Sequence, residues 1–162
     1  MSNSNPSSNK PLIPNWLPAI FLVLSAIGFA DATYLTVKHF LGTPVACSLL
    51  HGCEVVLTSR FATIAGIPIA LLGCLYYFTV LIFTTLYLQT KKAGLLKIAA
   101  CLVTVGFLVS LGLVYLQLFV LKSICLYCMS SAITSTTLFI LSLVFWKKAK
   151  SNSNTSLEEA GV

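Results

Sequence analysis

The chain has 162 residues, of which 57% are hydrophobic and only 9% are charged. Ordinary soluble domains carry about a quarter charged residues, so this chain has too few charges to cover a globular surface that faces water. The net charge of +6 does not indicate nucleic-acid binding, because the basic residues lie at the ends of apolar segments and form no stripe interleaved with aromatics. The composition therefore predicts an integral membrane protein.

Four apolar segments follow one another along the chain, at residues 16–40, 67–88, 95–121 and 125–146. Each is close to the roughly 20 residues that a helix needs to cross about 30 Å of hydrocarbon. Backbone groups in lipid must be satisfied internally, which favours helices for continuous apolar runs. The first segment lacks the small-residue cleavage site of a signal peptide. We therefore expect an all-α membrane domain over residues 16–146, a bundle of four transmembrane helices.

The two ends of the chain differ in composition from the apolar segments. Residues 1–15 and residues 147–162 are rich in Ser and Asn, a composition typical of disordered segments. We expect both ends to be disordered tails on the cytoplasmic side.

The distribution of Lys and Arg predicts the orientation in the membrane, since cytoplasmic connections are enriched in these residues. With the amino terminus inside, seven of the ten basic residues are cytoplasmic, and the other side holds only Lys38, Arg60 and Lys122. We therefore expect a multi-pass protein of a bacterial inner (cell) membrane with both termini cytoplasmic. The connection at residues 42–66 and the turn near Lys122 then lie on the extracytoplasmic, oxidising side.

The connection between the first and second segments spans about 25 residues and contains Cys47, Gly52 and Cys53. Loops of this length without regular structure are uncommon and usually functional. Its second half, at residues 54–62, has the pattern of a short amphipathic helix lying at the membrane surface.

Four of the six cysteines are predicted to share the outer face. Cys47 and Cys53 lie in the long connection, and Cys125 and Cys128 form a CxxC motif at the start of the fourth helix. The N–H groups and dipole of a helix start lower the pKa of a thiol there and make a thiolate available. Two dithiols on one face are what a thiol–disulfide relay requires, because exchange proceeds by direct attack of a thiolate on a disulfide.

Two other interpretations of these cysteines stay open. Four thiolates can form a structural zinc site, although an oxidising compartment favours disulfides, and we expect no metal. The disulfides can also be structural staples of a non-enzymatic membrane subunit. Cys74 and Cys101 lie inside apolar segments and are expected to pack as small hydrophobic residues.

Several motifs combine with the four-span layout: DATYLT at 31–36, CEVVLTS at 53–59, GIP at 66–68 and CLYC at 125–128. With Cys47 they resemble the vitamin K epoxide reductase family in its bacterial form, over about residues 16–146. The resemblance implies a four-helix bundle around a quinone, either ubiquinone or menaquinone. It also implies a membrane thiol–quinone oxidoreductase that oxidises a periplasmic thioredoxin-like partner and so supports disulfide bond formation.

The resemblance also implies roles for single residues. Cys47 and Cys53 match the shuttle pair, and Cys125 and Cys128 match the pair that reduces the quinone. Cys125 is expected to exchange with Cys53, and Cys128 to be the quinone-side thiolate, stabilised by the helix start. Ser59 and Cys128 are the residues expected to contact the quinone.

Two positions depart from the vertebrate members that reduce vitamin K epoxide. Those members carry an asparagine early in the second span and a tyrosine four residues after the CxxC, where this chain has Ile69 and Ala132. The missing hydrogen-bond donors favour disulfide-forming oxidation, and vitamin K quinone or epoxide reduction is the alternative. Since the chain ends soon after the fourth span, we expect its thioredoxin-like partner to be a separate protein.

Other ionisable residues allow two interpretations each. Asp31 lies inside the first span, where a charge is costly and usually faces the bundle interior, and it suits either a proton route or an anchor for the loop. His39 and His51 lie at or beyond the outer boundary, and we expect them to be solvated.

Overall fold

The computed structural model describes residues 16–43, 45, 52–91 and 93–158. Four long helices form the bundle: α1 (Trp16–Leu41), α3 (Ile69–Thr90), α4 (Ala93–Tyr115) and α5 (Leu126–Glu158). Between α1 and α3 lie the short helix α2 (Gly52–Thr58) and the strands β1 (Thr63–Ile64) and β2 (Ile67–Pro68). The predicted tail at residues 1–15, together with Cys47 and His51, lies outside the described residues.

The four long helices each contain a stretch long and apolar enough to cross a membrane. These stretches have mean hydropathies between 1.5 and 2.3, and they are Trp16–Leu41, Ile69–Thr90, Lys97–Val120 and Leu126–Val144. Helix α1 packs against α3 and α5, and α4 packs against the same two helices, so the four form a closed ring. The prediction of a four-helix membrane bundle is confirmed.

Close approach of the helices depends on two glycines that face adjacent tyrosines of α3. A Cβ atom at Gly28 of α1 would collide with the ring of Tyr77, and one at Gly106 of α4 would collide with the ring of Tyr76. Small residues at helix contacts let backbones approach in a membrane, where lipid is as apolar as the helix surface. Tyr77 is buried in the central apolar cluster as a result.

The fold is helical as expected, with one small hairpin added after α2, and the predicted helix at residues 54–62 is shorter than expected. The helix ends at Thr58, and strands β1 and β2 pair antiparallel, with Ile64 opposite Ile67. Ala65 and Gly66 between them have φ values of 52° and 82°. Positive φ at both central residues suits a two-residue hairpin turn, because its twist matches that of the strands.

Helix α5 extends beyond the predicted end of the membrane domain. We expected disorder from residue 147, but the helix continues to Glu158. Its apolar stretch nevertheless ends at Val144. The hydropathy pattern marked the end of the span, whereas a helix with satisfied internal hydrogen bonds can continue into a polar segment.

Helix α4 changes character just before the turn that leads to the CxxC. The residues that follow it, Leu116–Val120, form a π-helical turn, and the N–H of Leu121 donates to the carbonyl of Leu116 at 2.8 Å. Wide turns of this kind are rare in helices and occur frequently at functional sites. This one places Gln117, which is 3% exposed, inside the bundle.

Candidate active site

Three of the four predicted redox cysteines meet at one end of the bundle. Cys53 in α2 and Cys125, directly before α5, are both 0% exposed and share a buried cluster with Val56. Cys128 packs against the same cluster. The structure thus brings the loop cysteine and the CxxC together, whereas Cys47 lies outside the described residues.

The approach of α2 to the CxxC depends on Gly52. A Cβ atom at this position would lie 2.6 Å from the carbonyl oxygen of Ile124 and 2.9 Å from its nitrogen. Both are backbone atoms, which cannot move aside as a flexible side chain can. The missing side chain therefore allows Cys53 to reach Cys125.

The thiols differ in state and position. Cys53 is disulfide-bonded, whereas Cys125 and Cys128 carry free thiols. Cys74 and Cys101 are also free but belong to α3 and α4, outside this cluster. Cys74 lies 3.4 Å from the hydroxyl of Thr33 and packs against the central core, as expected for a packing residue.

A cavity of about 120 Å³ adjoins the cysteine cluster. Its wall contains Cys128 and Ser59, the two residues predicted to contact a quinone. Ile69 and Ala132 also line it, so the two positions that depart from the vertebrate pattern face the same space. The remaining wall is mostly apolar, with Ala32, Leu35, Val56, Leu57, Phe61, Ala62, Pro68, Leu113, Leu116 and Leu121 among its residues.

Ser59 is in the wall, but its hydroxyl proton is already engaged. The hydroxyl donates to the carbonyl of Val56 at 2.8 Å. A quinone oxygen is an acceptor, so a hydrogen bond from Ser59 to it requires this contact to break. Direct binding by Ser59 stays a prediction.

Cys125 is the thiol that the helix start stabilises. It accepts a hydrogen bond from the Cys128 thiol and further bonds from the backbone N–H groups of Cys128 and Tyr127, which together lower its pKa to about 7. Desolvation opposes this shift. Cys125 immediately precedes the first helical residue, where the unpaired N–H groups point. The stabilisation expected at Cys128 stays a prediction.

Asp31 lies in the wall of the same cavity. Its Oδ2 atom is buried and has no hydrogen-bond partner among the described residues. Both interpretations of Asp31, a proton route and an anchor for the loop, stay predictions. Over the same described ranges, the structure contains no group of three or more His, Cys, Asp or Glu side chains arranged so that it could hold a metal ion.

Gln117 is a site residue that the sequence analysis missed. Its Oε1 atom accepts the N–H of Cys125 at 3.0 Å, and it lines the cavity beside Cys128. The available signal was a polar amide inside an apolar span, since polar groups there normally face the bundle interior.

The hydrogen bond from Cys128 predicts how the pKa of Cys125 responds to substitution. In the reduced protein, alkylation of Cys125 is expected to rise with a midpoint near pH 7. Cys128→Ala removes the donor and moves the midpoint up toward the ordinary value of 9.0, whereas Cys128→Ser keeps a hydroxyl donor and a lower midpoint. Peptide mass spectrometry after timed alkylation measures each midpoint. Identical midpoints in all three proteins would contradict this account.

The contact at Gly52 predicts a change in the accessibility of Cys125. Gly52→Ala forces α2 away from Ile124, and overpacking of this kind typically costs about 1–3 kcal/mol. We expect Cys125 to be alkylated roughly tenfold faster, since about 1.4 kcal/mol corresponds to a factor of ten. Gly94→Ala is the matched control, because a Cβ there meets nothing within 4 Å. Equal alkylation rates in the two variants would show that the contact does not seal the site.

The chain also matches a model of a known protein family. The model is that of the vitamin K epoxide reductase family, and it matches residues 19–143. This range includes nearly all of α1, then α2, both strands, α3, α4 and nearly all of the apolar part of α5. Proteins of this family are membrane oxidoreductases that use quinones and generally work with thioredoxin-like partners. The matched range contains the cysteine cluster and the cavity beside it. The chain therefore belongs to the vitamin K epoxide reductase family.

Proposed function

We propose that the protein is a thiol–quinone oxidoreductase that oxidises a separate extracytoplasmic thioredoxin-like dithiol protein and so supports disulfide bond formation. Electrons pass through the pair Cys47/Cys53 and then the pair Cys125/Cys128 to a quinone. One observation carries the proposal: Cys125 packs against Cys53, while its partner Cys128 lines the cavity. The cysteines thus stand in the order that a relay needs.

The burial of Cys53 determines where the partner protein attacks. Cys53 is disulfide-bonded and 0% exposed, so an incoming thiolate attacks Cys47, the cysteine we propose as the other half of this disulfide. The Cys47–Cys53 bond breaks, a mixed disulfide forms at Cys47, and Cys53 leaves as a thiolate beside Cys125. The partner's second thiolate then attacks the mixed disulfide, which releases Cys47 as a thiolate and the partner as a disulfide.

The next exchange moves two electrons inward. The Cys53 thiolate attacks Cys125 of the oxidised CxxC, and Cys128 leaves as a thiolate at the cavity wall. The Cys47 thiolate attacks Cys53, which restores the Cys47–Cys53 disulfide and releases Cys125. The low pKa of Cys125, about 7, favours this release, because exchange is faster when the leaving thiol has a lower pKa.

The cavity fits a quinone head group. Its mostly apolar wall suits a flat ring, and both Cys128 and Asp31 lie in that wall. Ile69, Ala132 and their apolar neighbours would hold the ring. A bound quinone accepts two electrons and two protons, which the reduced Cys125 and Cys128 give up as their disulfide re-forms. Asp31 is a wall group that can hold a proton during this step.

The alternative of vitamin K quinone or epoxide reduction has less support. Ile69 and Ala132 both line the cavity, and neither side chain can donate a hydrogen bond to a substrate oxygen. The other alternative, a non-enzymatic subunit with structural disulfides, also has less support, because it gives no reason for Cys128 to line a cavity.

Turnover of the four cysteine variants tests the relay. With a reduced thioredoxin-like dithiol protein as donor, alanine at position 47, 53, 125 or 128 is expected to abolish quinone reduction. Cys101→Ala is the matched control and keeps wild-type activity, because Cys101 is exposed on α4 outside the cluster. Quinone reduction is followed by the loss of quinone absorbance.

A single turnover then separates the two pairs. When the CxxC is reduced chemically beforehand, the Cys47→Ala and Cys53→Ala variants are expected to reduce one equivalent of quinone, whereas Cys125→Ala and Cys128→Ala are not. Full activity of Cys128→Ala in either assay would overturn the proposed function and favour the structural interpretation.

We further propose that both termini are cytoplasmic and that the cysteine cluster faces the outside of a bacterial inner (cell) membrane. In the bundle, Lys38 and Arg60 lie at the end that holds Cys53, and Lys97 and Lys147 lie toward the other end. The larger number of basic residues at the second end supports this orientation.

Labelling of introduced cysteines tests the orientation. In a chain whose six native cysteines are replaced by alanine, Arg60→Cys is expected to react with a membrane-impermeant thiol reagent in intact cells. Lys147→Cys is expected to react only after the membrane is opened. Both native side chains are exposed, so accessibility does not distinguish the two positions. The reverse pattern would show the opposite orientation.

A further inference from the structure

Gln117 is a buried polar residue in the middle of an apolar stretch. It is 3% exposed and lies in the π-helical turn Leu116–Val120. Burial of an amide without partners costs free energy, so its contacts indicate why the residue is tolerated there.

Each polar part of Gln117 contacts the CxxC or the turn that leads to it. Its Oε1 atom accepts the N–H of Cys125 at 3.0 Å, and its main-chain carbonyl accepts the N–H of Ser123 at 3.1 Å. Its side-chain amide also hydrogen-bonds the thiol of Cys128. One residue therefore contacts both cysteines of the motif.

The wide turn explains how one side chain reaches both sulfur-bearing residues. A π-helical turn holds one more residue than an α-helical turn, so it rotates the residues on its two sides relative to each other. Gln117 is the second residue of this turn, and the chain leaves the helix at Leu121, four residues before Cys125. Such turns are rare, and this one lies directly before the segment that leads to the CxxC.

We propose that Gln117 is a positioning residue: its Oε1 atom fixes the backbone of Cys125 before the first turn of α5, and its amide N–H donates to Cys128 Sγ and holds that sulfur at the cavity wall. In the proposed function, Cys128 is the thiolate released when Cys53 attacks Cys125. A donor aimed at this sulfur stabilises it in that form. The effect on turnover rests on the proposed function, whereas the contact itself does not.

Other titratable groups also face the two thiols. These are Asp31 of α1 and Tyr127 of α5, together with Cys53 of α2, which is disulfide-bonded here and becomes a thiol when the protein is reduced. They are the same in wild type and in every variant of Gln117. The ratio of variant to wild-type thiol reactivity at one pH therefore isolates the contribution of Gln117.

The test compares two variants by the alkylation rate of Cys128 in the reduced protein. Gln117→Met removes both side-chain contacts, and the rate is expected to fall about tenfold at every pH, as for loss of one hydrogen bond to a charged group. Gln117→Glu keeps an oxygen for the N–H of Cys125. Its carboxyl donates to Cys128 only while protonated, so its rate is expected to match wild type at low pH and to fall below it as the carboxyl ionises.

The matched control is Leu118→Met, in the same turn but 47% exposed on the outer surface. It is expected to alkylate like wild type, and circular dichroism in detergent confirms that each variant keeps its helices. If Gln117→Met does not fold, the proposal is tested with Gln117→Glu alone, by the pH dependence of its Cys128 alkylation rate relative to wild type. A ratio of one for both variants at every pH would overturn the proposal, as would an equal, pH-independent loss in both, which indicates packing alone.

The result of this alkylation test does not depend on whether the proposed function is correct. Alkylation needs neither quinone nor partner protein, so a shifted Cys128 profile supports the positioning role even if Cys128→Ala retains turnover. Conversely, loss of turnover in Cys128→Ala together with unchanged alkylation in the Gln117 variants leaves the function standing and removes the role of Gln117.

Discussion

The contact between α2 and the backbone just before α5 is the constraint on which the rest of the site depends. Gly52 lies against Ile124 so closely that no side chain fits, and this approach buries Cys53 against Cys125. The same short segment supplies Val56, Leu57 and Ser59 to the cavity wall. One contact thus delivers a sulfur atom to the CxxC and closes one side of the cavity, so loop position and cavity shape are coupled.

A buried exchange site needs fixed donors, because a thiolate in an apolar environment is costly without hydrogen bonds. The chain provides them from within the motif: Cys125 accepts bonds from the Cys128 thiol and from the first N–H groups of α5. With both Cys53 and Cys125 fully buried, thiols in solution have no direct access to the step between them. In the proposed relay, burial therefore protects the exchange step, and hydrogen bonds from the helix start compensate for the loss of water.

The sequence was most informative where a single physical requirement dominates. Four spans were predictable because lipid demands a fixed length of apolar helix, and the CxxC stood out because a helix start favours thiolates. The turn at Leu116–Val120 was not predictable, since hydropathy does not distinguish an α-helical from a π-helical turn. The hydrogen bonds from the helix start to Cys125 depend on the exact first residue of α5, and helix ends are the least certain part of a sequence-based prediction. The hairpin at Ala65 was missed because alanine rarely adopts a positive φ.

The polar groups of the cavity wall indicate how a ring would be held there. Ser59 donates to Val56, Ser131 shares a hydrogen bond with Tyr77, and Gln117 is engaged with the CxxC. Asp31 differs, because its Oδ2 atom is buried without a partner in the described parts of the chain. His39 and Ser110 are the other polar residues of the wall, and the rest of the lining is mostly apolar, so a ligand in this cavity would be held mainly by apolar contact. Under the proposed function, such weak directional contacts suit a quinone that returns to the membrane after each turnover, and the position of Cys128 would then determine where the ring reacts.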